Sequence, residues 1–178
     1  QRMSTLVLAL RQVQYENIAF RRNPAAAFFT LVFPLMFLVI FNLMFGNNPM
    51  DVPGGTTTTS TFFVPAIAAF SVINACYTNM AMSVSIARDQ GLLKRIRGTP
   101  LPAWGFMFGR IAHVVLVSFA LVAIVTAAGA LFYDVDMPTN TLPAFLITLA
   151  IGAAAFCSLA LAVTALIPNA DASPAIVN

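Results

Sequence analysis

The sequence predicts an all-α, polytopic membrane bundle with four transmembrane helices, on three observations. Apolar runs cover residues 25–45, 62–87, 111–133 and 142–167, and none of them contains Lys, Arg, Asp or Glu. Each reaches the roughly 20 residues that a helix needs to cross about 30 Å of hydrocarbon. The second observation is charge asymmetry. Arg2, Arg11, Arg21 and Arg22 precede the first run, and Arg88, Lys94, Arg95, Arg97 and Arg110 lie between the second and third. The connections 46–61 and 134–141 hold Asp51, Asp134 and Asp136 and no basic residue. By the positive-inside rule, the N-terminus and the middle connection face the cytoplasm of a cell-membrane protein. Third, with 60% hydrophobic and 8% charged residues, the chain lacks the polar surface to cover a soluble domain.

Taken in order, residues 4–20 place Leu6, Ala9, Leu10, Val13 and Phe20 near one helical face and Arg11, Gln12, Gln14 and Glu16 on others. That spacing suits an amphipathic helix in the headgroup plane, or a solvated helical tail. Asn23 and Pro24 supply an N-cap and a first-turn proline for the first span. Between the first two spans, Asn47, Asn48, Pro49, Pro53, Gly54, Gly55 and the threonines from Thr56 to Thr59 predict an extracellular loop without periodicity. The second run, over about 26 residues, reaches about 39 Å and is expected to tilt or extend into the cytosol. The third span is drawn back to residue 106, giving 106–133, with Trp104 and Tyr133 near its ends as interfacial anchors. In the fourth, Ala150, Ala154, Ser158 and Ala162 recur every four residues, a stripe of small side chains that lets another helix approach.

Several chemistries are excluded. The one lysine, Lys94, is followed by Arg95, so there is no P-loop with its Lys on the phosphates and its hydroxyl on magnesium. The single histidine, His113, rules out an HExxH zinc site, and no Gly-x-Ser-x-Gly elbow occurs. Cys76 and Cys157 lie inside spans without CxxC spacing and read as packing residues. Although the net charge is +3, the basic residues flank apolar spans, where they set topology and meet anionic lipid; nucleic acid is not an expected partner.

Three constellations remain. Arg110 and His113 stand one turn apart at the start of the third span. They suit a proton relay or ligand site, but an arginine near a helix end snorkels at little cost, and the favoured reading is a snorkelling arginine beside an interfacial histidine. In the second span, Ser71, Asn74, Thr78, Met82 and Ser85 recur at helical spacing, with Asn42 adding a polar group in the first. These residues line a substrate path or pack helices together, packing being the safer reading. The middle connection, 88–105, carries Leu92, Leu93 and Ile96 as a small apolar cluster on a short helix, ringed by basic residues and ended by Gly98, Pro100 and Pro102. An apolar patch rimmed by charge fits a docking site, and equally a topology-setting loop on anionic lipid.

The amphipathic segment leading into Arg22, Asn23 and Pro24, the Phe33-Pro34-Leu35 first span, and the long second span running into Arg88, Gly91, Lys94, Arg95, Arg97, Thr99, Pro100 and Leu101 before Gly109 and Arg110 together resemble the membrane subunits of the ABC type-2 exporter family. That family includes the daunorubicin-resistance-type multidrug permeases. The resemblance implies that residues 1–24 form a connecting helix at the cytoplasmic face and 25–178 the permease domain. It implies a coupling helix formed by Gly91, Leu92, Leu93, Lys94, Arg95, Ile96 and Arg97, with Leu92, Leu93 and Ile96 inserted into a cytoplasmic nucleotide-binding ATPase. That partner would hold ATP and Mg²⁺; this chain would bind no cofactor and no metal and catalyse nothing itself. A second permease subunit and two further spans beyond Asn178 complete the expectation. The function implied is ATP-driven export of amphipathic drug-like or lipid-like compounds. A non-transporting membrane anchor or assembly protein, or an ion-coupled carrier using Arg110 and His113, are the alternatives.

Overall fold

The computed structural model describes residues 5–53, 55–96, 98–99, 102–135 and 141–177. The expectations placed on Arg2, Ser4, Gly54, Arg97, Pro100, Leu101, Asp136 and the side chain of Leu6 fall outside them. Helix α1 (Thr5–Arg22) is followed by α2 (Pro24–Phe45), strands β1 (Pro49–Val52) and β2 (Gly55–Thr58), and α3 (Thr59–Ile73). A π-helical turn, Asn74–Thr78, joins α3 to α4 (Asn79–Asp89). Then come α5 (Leu92–Ile96), α6 (Ala103–Tyr133), α7 (Leu142–Thr164), a 3₁₀ turn (Ala170–Ala172) and α8 (Ser173–Val177).

Among the described residues, four helical stretches are long and apolar enough to cross a membrane: Ala27–Phe45, Thr59–Asp89, Trp104–Tyr133 and Leu142–Thr164. The all-helical bundle predicted from the hydropathy pattern is therefore what forms. The second stretch begins and ends beyond its apolar run, and the fourth stops at Thr164, before the apolar run ends. Residues 165–167 wind off there in a turn, Leu166 N–H donating to the Val163 carbonyl at 2.9 Å, ahead of Pro168, which cannot continue a helix.

The connection 46–61 is not irregular, as its composition suggested. β1 and β2 pair antiparallel, Pro49 opposite Thr58 and Val52 opposite Gly55. Threonines are β-branched and favour extended backbone, and Thr56 Oγ1 donates to Asp51 Oδ1 at 3.2 Å across the hairpin. The Thr58 hydroxyl caps α3 by accepting from Thr61 N–H.

At the hairpin end, α2 meets α3 through a ladder of rings. Phe41 stacks on Phe63 with centroids 5.0 Å apart, and Phe45 stacks on Phe63 at 5.5 Å. Asn42 donates to the Leu38 carbonyl at 2.9 Å and accepts from the Ser60 hydroxyl, so both polar groups are satisfied inside the contact. α3 crosses α6 at Gly129, where an added Cβ would lie 2.8 Å from Val64 Cγ2. Glycine is needed there for the helices to approach.

α7 completes the bundle by packing on the π turn and α4. Its inward face is Ala153, Cys157, Ala160 and Thr164. Ala154, Ser158 and Ala162 of the small-residue stripe are exposed, so that stripe does not hold the helices of this chain together. Small size alone did not say which face turned inward, because the helix carries small residues on both.

Candidate functional site

Two features stand at the end of the bundle that carries the basic residues. The first is the connection between the second and third spans. α4 ends at Asp89, and Gly91 turns the chain with a φ of 70°, a left-handed conformation that costs other residues roughly 1–2 kcal/mol. The Gly91 carbonyl then accepts from Lys94 and Arg95 N–H at 3.1 Å, starting α5. At the other end, Thr99 Oγ1 donates to the Ile96 carbonyl at 2.7 Å. No residue of α5 is buried, and Leu92 is 40% exposed. Leu92, Leu93 and Ile96 share one side of the helix by spacing, and Lys94 and Arg95 are exposed. Arg97 lies outside the described residues.

Immediately before this turn is a clamp built on Arg88, which the sequence presents only as a topology-setting charge. Arg88 Nη1 donates to the Thr164 carbonyl at 3.0 Å and Nη2 to the Ile167 carbonyl at 2.6 Å. These are carbonyls at and just past the C-terminus of α7, where intrahelical partners run out and a cation is favoured by the helix dipole. Asp89 accepts from Ala170 N–H, and its Oδ1 is 3.5 Å from Arg88 Nε. The base of α5 is thereby fastened to the end of the fourth span. A charged pair placed where an apolar span ends is the signal that could have pointed to it.

The second feature is an open cavity of about 600 Å³ bounded by α1, α2, the second span and α6. Ser71, Asn74 and Met82 of the polar stripe line it. Thr78 and Ser85 do not; their places on the cavity wall are taken by Asn79, Ser83 and Ile86. The reason is the π turn. One extra residue in the turn moves the inward positions on by one, from Thr78 to Asn79 and from Ser85 to Ile86, while Met82 stays on the wall. Ser85 is buried with its hydroxyl unpartnered among the described residues. Asn42 lies in the α2–α3 contact, away from the cavity.

α6 contributes Arg110 and His113 to the same wall. His113 is only 8% exposed and meets the Phe20 ring edge-on at 5.8 Å. Both side chains line this cavity at the basic end of the bundle. α1 makes this happen. Its inward side is Ala9, Gln12, Glu16 and Phe20, while Val7, Leu10 and Ile18 face out. Gln12 and Glu16, read as lying off the apolar side, therefore face the bundle, and Leu10 of that apolar side faces out. For a helix among lipid-facing spans the apolar side is no guide to the interior, since the surroundings are themselves apolar. Close approach is allowed by Gly109, where a Cβ would fall 2.6 Å from Gln12 Cβ. Pro34 of α2 has no N–H for the Thr30 carbonyl, and both residues line the cavity.

Cys76 and Cys157 are fully buried in one core cluster. Among the described residues, no group of His, Cys, Asp and Glu is placed to hold a metal ion.

Comparison with known families finds that the ABC-2 type transporter profile matches residues 7–178. Neither the curated proteins nor the solved structures give a match. A family profile that spans nearly the whole chain, on a bundle with four membrane-crossing helices, identifies the protein as a multi-pass membrane component of an ABC transporter, belonging to the ABC-2 type transporter family.

Proposed function

We propose that the chain is the permease subunit of an exporter that moves amphipathic, drug-like or lipid-like compounds out of the cytoplasm or inner leaflet, as in the daunorubicin-type branch that its sequence resembles. A partner ATPase supplies the drive, with ATP and Mg²⁺ bound there. A second permease subunit completes the path, and the N-terminus and α5 face the cytoplasm. The observation that carries this reading is α5: a short helix without a buried residue, set off by a glycine turn and presenting Leu92, Leu93 and Ile96 beside basic side chains.

The energetic requirement is differential affinity. ATP moves the permease only if one conformation of the assembly binds it better than the other; equal affinity shifts nothing. The Arg88 clamp supports transmission, because a displacement of α5 acts on the ends of the second and fourth spans together. The cavity beside it offers apolar walls with a few polar groups, the general composition of a small-molecule site.

Affinity purification in detergent is expected to recover a P-loop ATPase with the chain, and reconstitution to give substrate-stimulated hydrolysis. Replacing Leu92 and Ile96 together by Asp should reduce that stimulation to the basal rate while membrane insertion is unchanged. Unchanged stimulation and transport in the double variant would remove the docking role. Transport that persists after the partner's ATP site is inactivated would favour an ion-coupled carrier instead.

A further inference from the structure

Arg110 and Glu16 come from different helices and line one cavity, yet they do not pair. The only ion pair within 4.0 Å among the described residues is Arg88 with Asp89. Arg110 makes no hydrogen bond to a described residue; its close neighbour is the Phe106 ring, 5.7 Å from the guanidinium carbon. Its guanidinium donors therefore face the cavity and are open to an acceptor placed there. Glu16 accepts one hydrogen bond, from Gln12 Nε2 at 3.1 Å, and a carboxylate has room for about three more.

We infer that this cavity binds a zwitterionic amphiphile, its anionic group against Arg110 and its ammonium against Glu16. The charges of the site cancel. A purely anionic head group would gain Arg110 but meet Glu16, and a purely cationic one would suffer the reverse; a dipolar head group meets an opposite charge at both ends. The rest of the wall selects an apolar tail. Phe33, Val114 and Val117 line it, and Phe29 and Ile86 do so while 65% and 42% exposed. Those two stand at the bundle surface, so an apolar tail can leave the cavity between them. Only the step from bound ligand to transported substrate rests on the permease reading above.

The test is calorimetric titration of the purified full chain in nonionic detergent, without ATP or partner. The probes are single-chain phosphoethanolamine, phosphoglycerol and trimethylammonium amphiphiles of equal chain length. The phosphoethanolamine probe should bind at least about tenfold more tightly than either singly charged one, the worth of one charge-assisted hydrogen bond. Glu16→Gln should erase its advantage over phosphoglycerol, and Arg110→Gln should abolish binding of both. Should Arg110→Gln fail to fold, Arg110→Lys should retain the preference at several-fold weaker affinity. Equal binding of the phosphoethanolamine and phosphoglycerol probes to the unaltered protein, or a preference that survives Glu16→Gln, overturns the inference. Tail-free phosphoethanolamine should bind far more weakly than the lipid; equal affinity would overturn the amphiphile assignment. Binding as expected without ATP-driven transport would sink the permease reading and leave the site standing, whereas such transport without this binding pattern would do the opposite.

Discussion

At the hairpin end of the bundle, polar side chains are tied to one another: Ser60 donates to Asn42, Asn42 to the Leu38 carbonyl, and Phe41 and Phe45 close over Phe63. At the basic end they are tied across helices or left facing space. Arg88 holds the carbonyls of Thr164 and Ile167, while Arg110 and Asn79 line a cavity. Both ends are built from the same spans. What separates them is the π turn at Asn74–Thr78, which changes the face that the second span presents. The comparison teaches that the same spans can close over satisfied polar groups at one end and leave a polar-lined cavity beside an apolar cluster at the other.

The largest expected effect is at the clamp. Arg88→Ala leaves the Thr164 and Ile167 carbonyls and the Asp89 carboxylate without their cation. Hydrogen bonds to a charged group are worth roughly 1.5–3 kcal/mol, and with Arg88 about one-third exposed, a loss of about 2 kcal/mol is expected. Thermal unfolding in detergent measures it. Arg88→Lys should recover only part, since an ammonium lacks the fork that reaches two carbonyls at once. Full recovery by lysine would reduce the clamp to a point charge and weaken the claim that α5 is fastened to the fourth span.

Next is Gly129→Ala. The new Cβ meets Val64 Cγ2 at 2.8 Å and Cγ1 at 2.9 Å, and overpacking of this kind costs about 1–3 kcal/mol. Val64→Ala in the same chain should restore much of the loss, because it removes the atoms that collide. A neutral Gly129→Ala would show that the hairpin end yields as easily as the basic end, and the contrast between the two would be lost.

The bundle itself was legible because hydropathy, span length and charge asymmetry all report on the solvent of a membrane protein, and 62–87 or 142–167 needs no tertiary information to be recognised. The short helix α5, with Leu92 exposed, also follows from local sequence, since Gly91 sets the turn before it. Faces were not legible. Thr78 and Ser85 were assigned to the wall of Ser71 and Asn74 by a constant period that the π turn interrupts. Glu16 on the cavity wall was not foreseen, because amphipathicity separates the sides of α1 without saying which of them a neighbouring helix covers. The inward turn of His113 depends on Phe20, far away in sequence, and the hairpin depends on pairing across Asp51 and Thr56. Each of these is a long-range or register fact, carried by neighbours and not by the residue's own type.

The smallest effect expected is the coupling between Asn42 and Ser60, and it is the one that defines the closed end. Either single change to Ala removes the bond between them, but Asn42 keeps its second partner, the Leu38 carbonyl, in the Ser60 variant. Polar contacts between membrane helices have averaged about 0.6 kcal/mol in double-mutant cycles, because the unfolded chain also finds partners. A cycle of Asn42→Ala and Ser60→Ala, read by thermal unfolding in the same detergent, should give a coupling near that average, about 0.6 kcal/mol. The sum of the two single effects should then exceed the double. Strict additivity would mean that the ring ladder of Phe41, Phe45 and Phe63 closes this end without help from the polar pair. The hairpin end would then be apolar in its energetics as well as its composition, and the contrast with the polar basic end would be sharper.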